Sequence, residues 1–268
     1  TLALAACSTS SQTSDTAAKL AYATEPAPPR ADGFFARGGG PLAGRTISVG
    51  SLSDIRLRDH EVVLTFDDGP MPGRTESVLK VLDQYRVKAT FLMVGRMAKG
   101  HPAIARKVAA RGHSIGTHTD DHANLASRGF AAATADIEAG RRSVAAATGM
   151  RPSTFFRFPY LASTPALRRY LAGRNVVVID ADIDSKDYFR TNAGAVRQRI
   201  LSQLGHKRSG IILMHDTHAR TAAMLPGLLD DLKTRGYKVV HLVPSAGGLG
   251  DLVASAPHQS SFGYADSR

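Results

Sequence analysis

From about residue 60 to residue 243 the chain alternates two hydrophobic rhythms. Short apolar, β-branched runs of strand length are separated by stretches in which apolar residues recur three and four apart. This predicts strands over 60–66, 88–95, 113–117, 154–158, 175–181, 210–214 and 237–243. It predicts helices over 75–86, 102–111, 130–147, 165–172, 193–204 and 221–235. Pro102 and Pro165 suit a first helical turn, where the missing amide hydrogen costs nothing, and Thr164 is placed to cap the second of these. Such a βα repeat closes into a barrel or spreads into an open doubly wound sheet, and the pattern alone does not choose. In either case ligands gather at the carboxyl ends of the strands, so chemistry is to be sought just past those ends.

Outside the repeat the pattern dissolves. Residues 8–57 are expected to be a flexible linker, rich in Ser, Thr, Ala, Gly and Pro up to about residue 45, with Pro26-Ala27-Pro28-Pro29 and Gly38-Gly39-Gly40. A segment of that kind cannot bury enough apolar surface to offset its ordering entropy. The Gly- and Ser-rich tail, 246–268, reads the same way, which leaves 58–245 as the folded domain. Residues 1–7 end in Leu4-Ala5-Ala6-Cys7 with Ser8-Thr9-Ser10 following. They look like the close of a bacterial lipoprotein signal peptide lacking its charged n-region, with Cys7 the lipidated residue. Acyl chains on Cys7 would bind a membrane peripherally. The expected location is exported and lipid-anchored in the cell envelope, on a periplasmic or outer-membrane face.

Composition limits the chemistry. A chain of 268 residues with 43% hydrophobic positions fits one globular domain with tails and excludes a collagenous or disulfide-stapled protein. No run approaches the roughly 18 to 20 apolar residues of a membrane-spanning helix. One cysteine makes neither an internal disulfide nor a cysteine-based zinc site, so any metal must be held by His and carboxylates. The formal charge of +11 attracts polyanions without selecting among nucleic acid, anionic membrane and acidic glycan. Nucleic-acid binding lacks any motif and conflicts with export.

Five strand ends carry polar groups. Asp67 and Asp68 follow Val62-Val63-Leu64-Thr65-Phe66, and adjacent carboxylates beside a core call for a cation or base. The bland alternative is an acidic turn at Gly69-Pro70. His118 and His122, past the strand over 113–117, would share a face if they occupied a helical turn, whereas His113 reads as structural. With Asp68 the pair supplies the three N/O donors of an open zinc-type site. Arg157 stands at the end of an aromatic strand and could serve Asp67; Asp182, Asp184 and Asp187 cluster after another; His215 follows Ile211-Ile212-Leu213-Met214 and precedes Asp216.

In order, TFDDGP, HTDDH, RFPY, DSKDY and LMH resemble the five motifs of the polysaccharide deacetylase family, carbohydrate esterase family 4, over about residues 61–243. The resemblance implies an α/β fold, a distorted (β/α) barrel of about seven parallel strands. It implies a divalent metal, zinc first with cobalt or another ion as alternatives, and removal of N-acetyl groups from N-acetylhexosamine residues of peptidoglycan, chitin-like or poly-N-acetylglucosamine chains. By motif position Asp67 would be the general base and Asp68, His118 and His122 the metal ligands. Arg157 would orient Asp67, the Tyr160 amide would bind the oxyanion, Asp184 would support His215, and His215 would be the general acid. Two positions depart from the pattern: Tyr188 stands where Trp is usual, and Leu161 where Gly is common. An O-acetyl esterase on a decorated polysaccharide would use the same groups. A noncatalytic, lipid-anchored glycan-binding protein would have no need of the complete set.

Overall fold

The computed structural model describes residues 41–245. Nine strands and seven helices alternate through them: β1 (Ala43–Val49), β2 (Glu61–Asp67), α1 (Arg74–Tyr85), β3 (Thr90–Met93), α2 (Gly95–Gly100), α3 (Pro102–Ala110) and β4 (Ser114–Thr117). There follow α4 (Phe130–Thr148), β5 (Phe155–Phe156), α5 (Pro165–Ala172), β6 (Val177–Val178), β7 (Ile183–Asp184), α6 (Ala193–Lys207), β8 (Gly210–His215), α7 (Ala219–Thr234) and β9 (Lys238–Pro244). Pro165 does open α5, and the Thr164 hydroxyl accepts from the Leu167 amide as its cap.

Every strand pairing is parallel. Seven strands form an arc in the order β7-β8-β2-β3-β4-β5-β6, and β9 joins the start of β2 with β1 beyond it. Among the described residues no ladder joins β6 to β7, so this distorted barrel is left open on that side. Parallel strands covered on both faces read as continuous apolar runs, and all of β2 is buried. Its period of two divides the faces. Val62, Leu64 and Phe66 pack in the cluster that includes α1, α6 and α7. Val63 packs with Phe155, Val177, Ile211 and Leu242 from other strands, the inner cluster. Thr65 and Asp67 share Val63's face, which becomes polar toward the carboxyl end.

The linker expected over 8–57 stops earlier than its composition suggests. Residues 43–49 are β1, paired with β9, and the following 3-10 turn Leu52–Asp54 leads to Ile55 and Leu57, which pack on the inner cluster. The alternation Thr46-Ile47-Ser48-Val49 carries the strand signal, with Ile47 and Val49 buried. The expected lipid attachment at Cys7, the first part of the linker and the tail 246–268 lie outside the described residues. No helix among the described residues is long and apolar enough to cross a membrane.

Candidate active site

Register alone brings two key groups together. Asp67, the last residue of β2, lies directly opposite His215, the last residue of β8. On the other side Thr117 of β4 pairs with Phe156 of β5, so His118 and Arg157 leave their strands side by side. The Arg157 amide donates to the Thr117 carbonyl at 3.1 Å.

Arg157 is the largest fully buried side chain in the core, at 0% exposure. A buried guanidinium is costly unless its donors are met. Here Nη1 donates to Asp67 Oδ1 at 2.7 Å and Thr65 Oγ1 at 2.8 Å, Nε to the Ile179 carbonyl at 2.8 Å, and Nη2 to the Asp180 carbonyl at 3.3 Å. The expected orientation of Asp67 by Arg157 is thus a direct ion pair within the inner face.

His118, His122 and Asp68 converge. Their ligand atoms lie within 4.8 Å of one another, with His122 Nε2 3.1 Å and His118 Nε2 3.5 Å from Asp68 Oδ1. The convergence is not helical, as the spacing of four suggested. His118 follows β4 directly, and the His122 backbone stands in the left-handed region at φ 59, its amide held by Thr119 Oγ1 at 2.9 Å. Asp68, Thr119, Tyr160 and Leu161 share that backbone region. Non-glycine residues held there cost about 1–3 kcal/mol each and persist where surrounding contacts fix them.

The donor chemistry fits a cation. Asp68 Oδ1 is buried and makes no hydrogen bond among the described residues. His118 is fully buried and its pKa is lowered, chiefly by burial, so it is neutral; its Nδ1 donates to the Arg157 carbonyl at 2.8 Å, which leaves the Nε2 lone pair facing Asp68. Two acceptors facing one another in a buried site want a positive charge between them. Burial raises the Asp68 carboxyl, but His122, His118 and His215 together hold it well below the ordinary range.

His215 is held by Asp187, not by Asp184. His215 Nδ1 lies 2.6 Å from Asp187 Oδ1, while Asp187 Oδ2 accepts from the His215 amide at 2.8 Å and from Thr221 Oγ1 at 2.5 Å. Burial lowers the His215 imidazole, but Asp187 outweighs it and carries the group up to about 9. The expected role for Asp184 fails because its carboxylate is turned to its own loop. There it accepts from the Lys186 amide and the Tyr188 hydroxyl, both at 2.9 Å. Sequence placed both acids in one cluster, and only the fold shows which meets the imidazole.

Asp67, Asp68, His118, His122, Tyr160, Leu161, Asp184, Tyr188, Leu213 and His215 line a single cavity of about 360 Å³. A larger cleft of about 580 Å³ lies between Leu52, Leu57, Asp182 and Gly210, but its acids are engaged, Asp180 by Arg168 and Asp182 by the Ile211 amide. Sequence reasoning gave no role to Asp216. It is buried, takes a 2.5 Å hydrogen bond from Thr75, and is pushed by burial up to about 7. Its one signal was an acid directly after His215 at a strand end.

The family model for polysaccharide deacetylase matches residues 54–177. The chain is 34% identical over 179 residues to the peptidoglycan-N-acetylglucosamine deacetylase PgdA of Listeria monocytogenes, covering 67% of this chain and 37% of that protein, little more than a third of its length. It is 30% identical over 213 residues to the chitin deacetylase of Colletotrichum lindemuthianum, covering 75% and 85% respectively. The solved peptidoglycan deacetylase of Bdellovibrio bacteriovorus shares the fold with a TM-score of 0.67 and 30% identity over 78% of this chain and 58% of that one.

Proposed function

The chain belongs to the polysaccharide deacetylase family, and on that footing we propose that it is a metal-dependent hydrolase removing N-acetyl groups from N-acetylhexosamine residues of a glycan. The observation that carries the reading is the meeting in one cavity of a carboxylate on an arginine, an Asp-His-His donor set and a second imidazole on its own carboxylate. A noncatalytic glycan binder would have no use for that assembly.

Asp68, His118 and His122 are the residues that would hold a divalent ion, zinc by preference for this N/O set and cobalt as an alternative. Such an ion, when bound, polarises the acetamide carbonyl and acidifies water. The remaining work falls to the chain. Asp67, fixed by Arg157, takes a proton from the attacking water. The amide of Tyr160, a residue of the cavity wall, is the donor for the carbonyl oxygen as it gains charge. His215 enters protonated because Asp187 favours its charged form, and it gives that proton to the leaving nitrogen. Acetate and a free amino sugar result.

Acetate release from chitin oligomers, peptidoglycan fragments and acetylated xylan, with chelator and with each divalent ion restored, tests the proposal. Release from the amide substrates that disappears with chelator and returns with zinc or cobalt is expected. Release from xylan alone would make the protein an O-acetyl esterase. Within this proposal Cys7 carries a lipid tether and the protein acts on envelope or extracellular glycan, supported by the Leu4-Ala5-Ala6-Cys7 run. Labelling by a fatty-acid analogue that is lost in Cys7→Ala checks the tether.

A further inference from the structure

Because every strand pairing is parallel, the barrel has two unlike ends, with the cavity at the carboxyl ends of the strands and the strand starts opposite. The starts of β8, β2 and β9 are laced together: the His60 amide donates to the Arg208 carbonyl at 2.9 Å, and the Lys238 amide to the His60 carbonyl at 2.8 Å. Exposed cations crowd this end. Arg58 precedes β2, Arg86 precedes β3, Lys207 precedes β8, and Lys233, Arg235 and Lys238 surround the start of β9. None of the six makes an ion pair among the described residues.

The acids near this end do not cancel them. Asp59 is bound by Arg208, Asp83 by Arg111 at 2.8 Å, Asp231 by Arg197 at 2.5 Å and the buried Glu61 by Arg45 at 2.9 Å, so each already has its counter-charge. Asp54 is matched through space by Arg56. Asp182 and Asp230 keep their charge, hydrogen-bonded to the Ile211 amide and the Tyr85 hydroxyl, and they offset two of the six cations. Arg151, exposed before β5, adds to the surplus that remains. The cavity end is mixed by comparison, with Arg96, Lys186 and Arg190 standing among Asp68, Asp121 and Asp184.

Two features favour a lipid surface over a soluble polyanion. The cations are spread over four strand starts and not gathered around one pocket. Two large apolar side chains, Leu52 and Met150, each 51% exposed, stand at the same end. Leu52 borders the cleft with Lys207 and Gly210, and Met150 directly precedes Arg151. Spread cations with apolar tips beside them match anionic headgroups lying over hydrocarbon. We infer that this end of the barrel docks on a bilayer surface rich in anionic phospholipid. The cavity, at the opposite end, then faces away from the lipid.

The test uses the full chain carrying Cys7→Ala, which removes the proposed tether, and sediments it with vesicles of phosphatidylcholine or of an equimolar mixture with phosphatidylglycerol. Binding to the anionic vesicles alone is expected, and it should be lost at about 0.5 M salt. A cation close to such a surface is worth about fivefold in affinity, so Lys207→Gln/Arg235→Gln/Lys238→Gln should bind about a hundredfold more weakly. Lys99→Gln/Arg142→Gln/Arg190→Gln removes as much charge from exposed positions elsewhere and should lose less than about tenfold. A fluorophore on Met150→Cys should be quenched by a spin-labelled lipid, and one on Ala126→Cys, beyond His122 at the cavity end, should not. Equal losses in the two triple variants, or stronger quenching at Ala126→Cys, would overturn the inference. So would a strand-start variant that keeps its vesicle binding but loses heparin, which would make the partner a soluble polyanion. None of these measurements uses turnover, so their outcome is independent of the proposed deacetylation.

Discussion

An imidazole in water titrates near 6.5, and His215 is useful as an acid because Asp187 has moved it to about 9. The acid must be protonated to act, so the alkaline limb of the rate profile should hold until about pH 9 and fall above it. Asp187→Asn should bring that limb down toward the ordinary value and lower kcat by about a hundredfold or more. Asp184→Asn should leave the limb in place, and a shift of the limb in that variant instead would return Asp184 to the role first expected of it. Arg157 gives a second prediction at this scale. Arg157→Met strands the Asp67 carboxylate in the inner face, and losing one partner of a buried pair costs about 3–5 kcal/mol, to be read from urea unfolding. The identities of Asp67, Asp68, His118, Arg157 and His215 were legible because each ends a strand or directly follows one, and that of His122 because it stands four positions past His118. The choice between Asp184 and Asp187 was not: they stand three positions apart in sequence, and the turn at Lys186, with φ 51, decides which faces β8.

Elements place those residues, and α4 does so through an absent side chain. Gly140 lies in mid-helix, where Ala would ordinarily be favoured by about 0.5–1 kcal/mol. A Cβ there would lie 2.5 Å from the Thr119 carbonyl oxygen and 2.7 Å from the Asp120 amide, the backbone that joins His118 to His122. Neither atom is a flexible side-chain end, so the loop must move. Gly140→Ala should therefore weaken zinc binding at least about tenfold and destabilise the fold by about 1–3 kcal/mol despite the better helix former. Metal titration followed by competition with a chromophoric chelator measures the first effect, and unchanged affinity would show that the loop yields without disturbing its ligands. The periodic helices were legible, with α5 matching from end to end, because their apolar stripes are continuous. Strand β7, two residues long, and α2, six residues with few apolar positions, carry too little pattern to be seen. Both flank the site, and β7 lies in the arc where 237–243 was expected to complete the count.

Over the whole molecule, buried groups titrate against a common unfolded state. His113 is lowered to about 3 and His241 to about 4, in each case chiefly by burial with Lys88 adding repulsion. His113 is structural, as its sequence position implied, its Nδ1 accepting from the Ala89 amide at 3.2 Å. His241 meets Ser114 Oγ at 2.9 Å, tying β9 to β4. Between about 6.5 and 4 the unfolded chain protonates both imidazoles and the fold does not, so each removes about 1.4 kcal/mol of stability per unit as pH falls. Asp216 acts in the opposite sense. Burial raises it from 3.8 to about 7, so over the same range the fold holds a proton that the unfolded chain lacks and gains stability as pH falls. Among these three groups the net acid slope is that of one imidazole, and His118 and His218, both lowered chiefly by burial, add to it. On the alkaline side the contribution of His215 is complete below 6.5 and is lost as pH rises toward about 9, which places the maximum near neutrality. His241→Gln removes one of the two imidazoles and leaves the other balanced against Asp216. Urea midpoints of that variant should decline less steeply between about pH 6 and 4.5 than those of the wild type. A variant that declines as steeply as the wild type would show that His241 is already charged inside the fold.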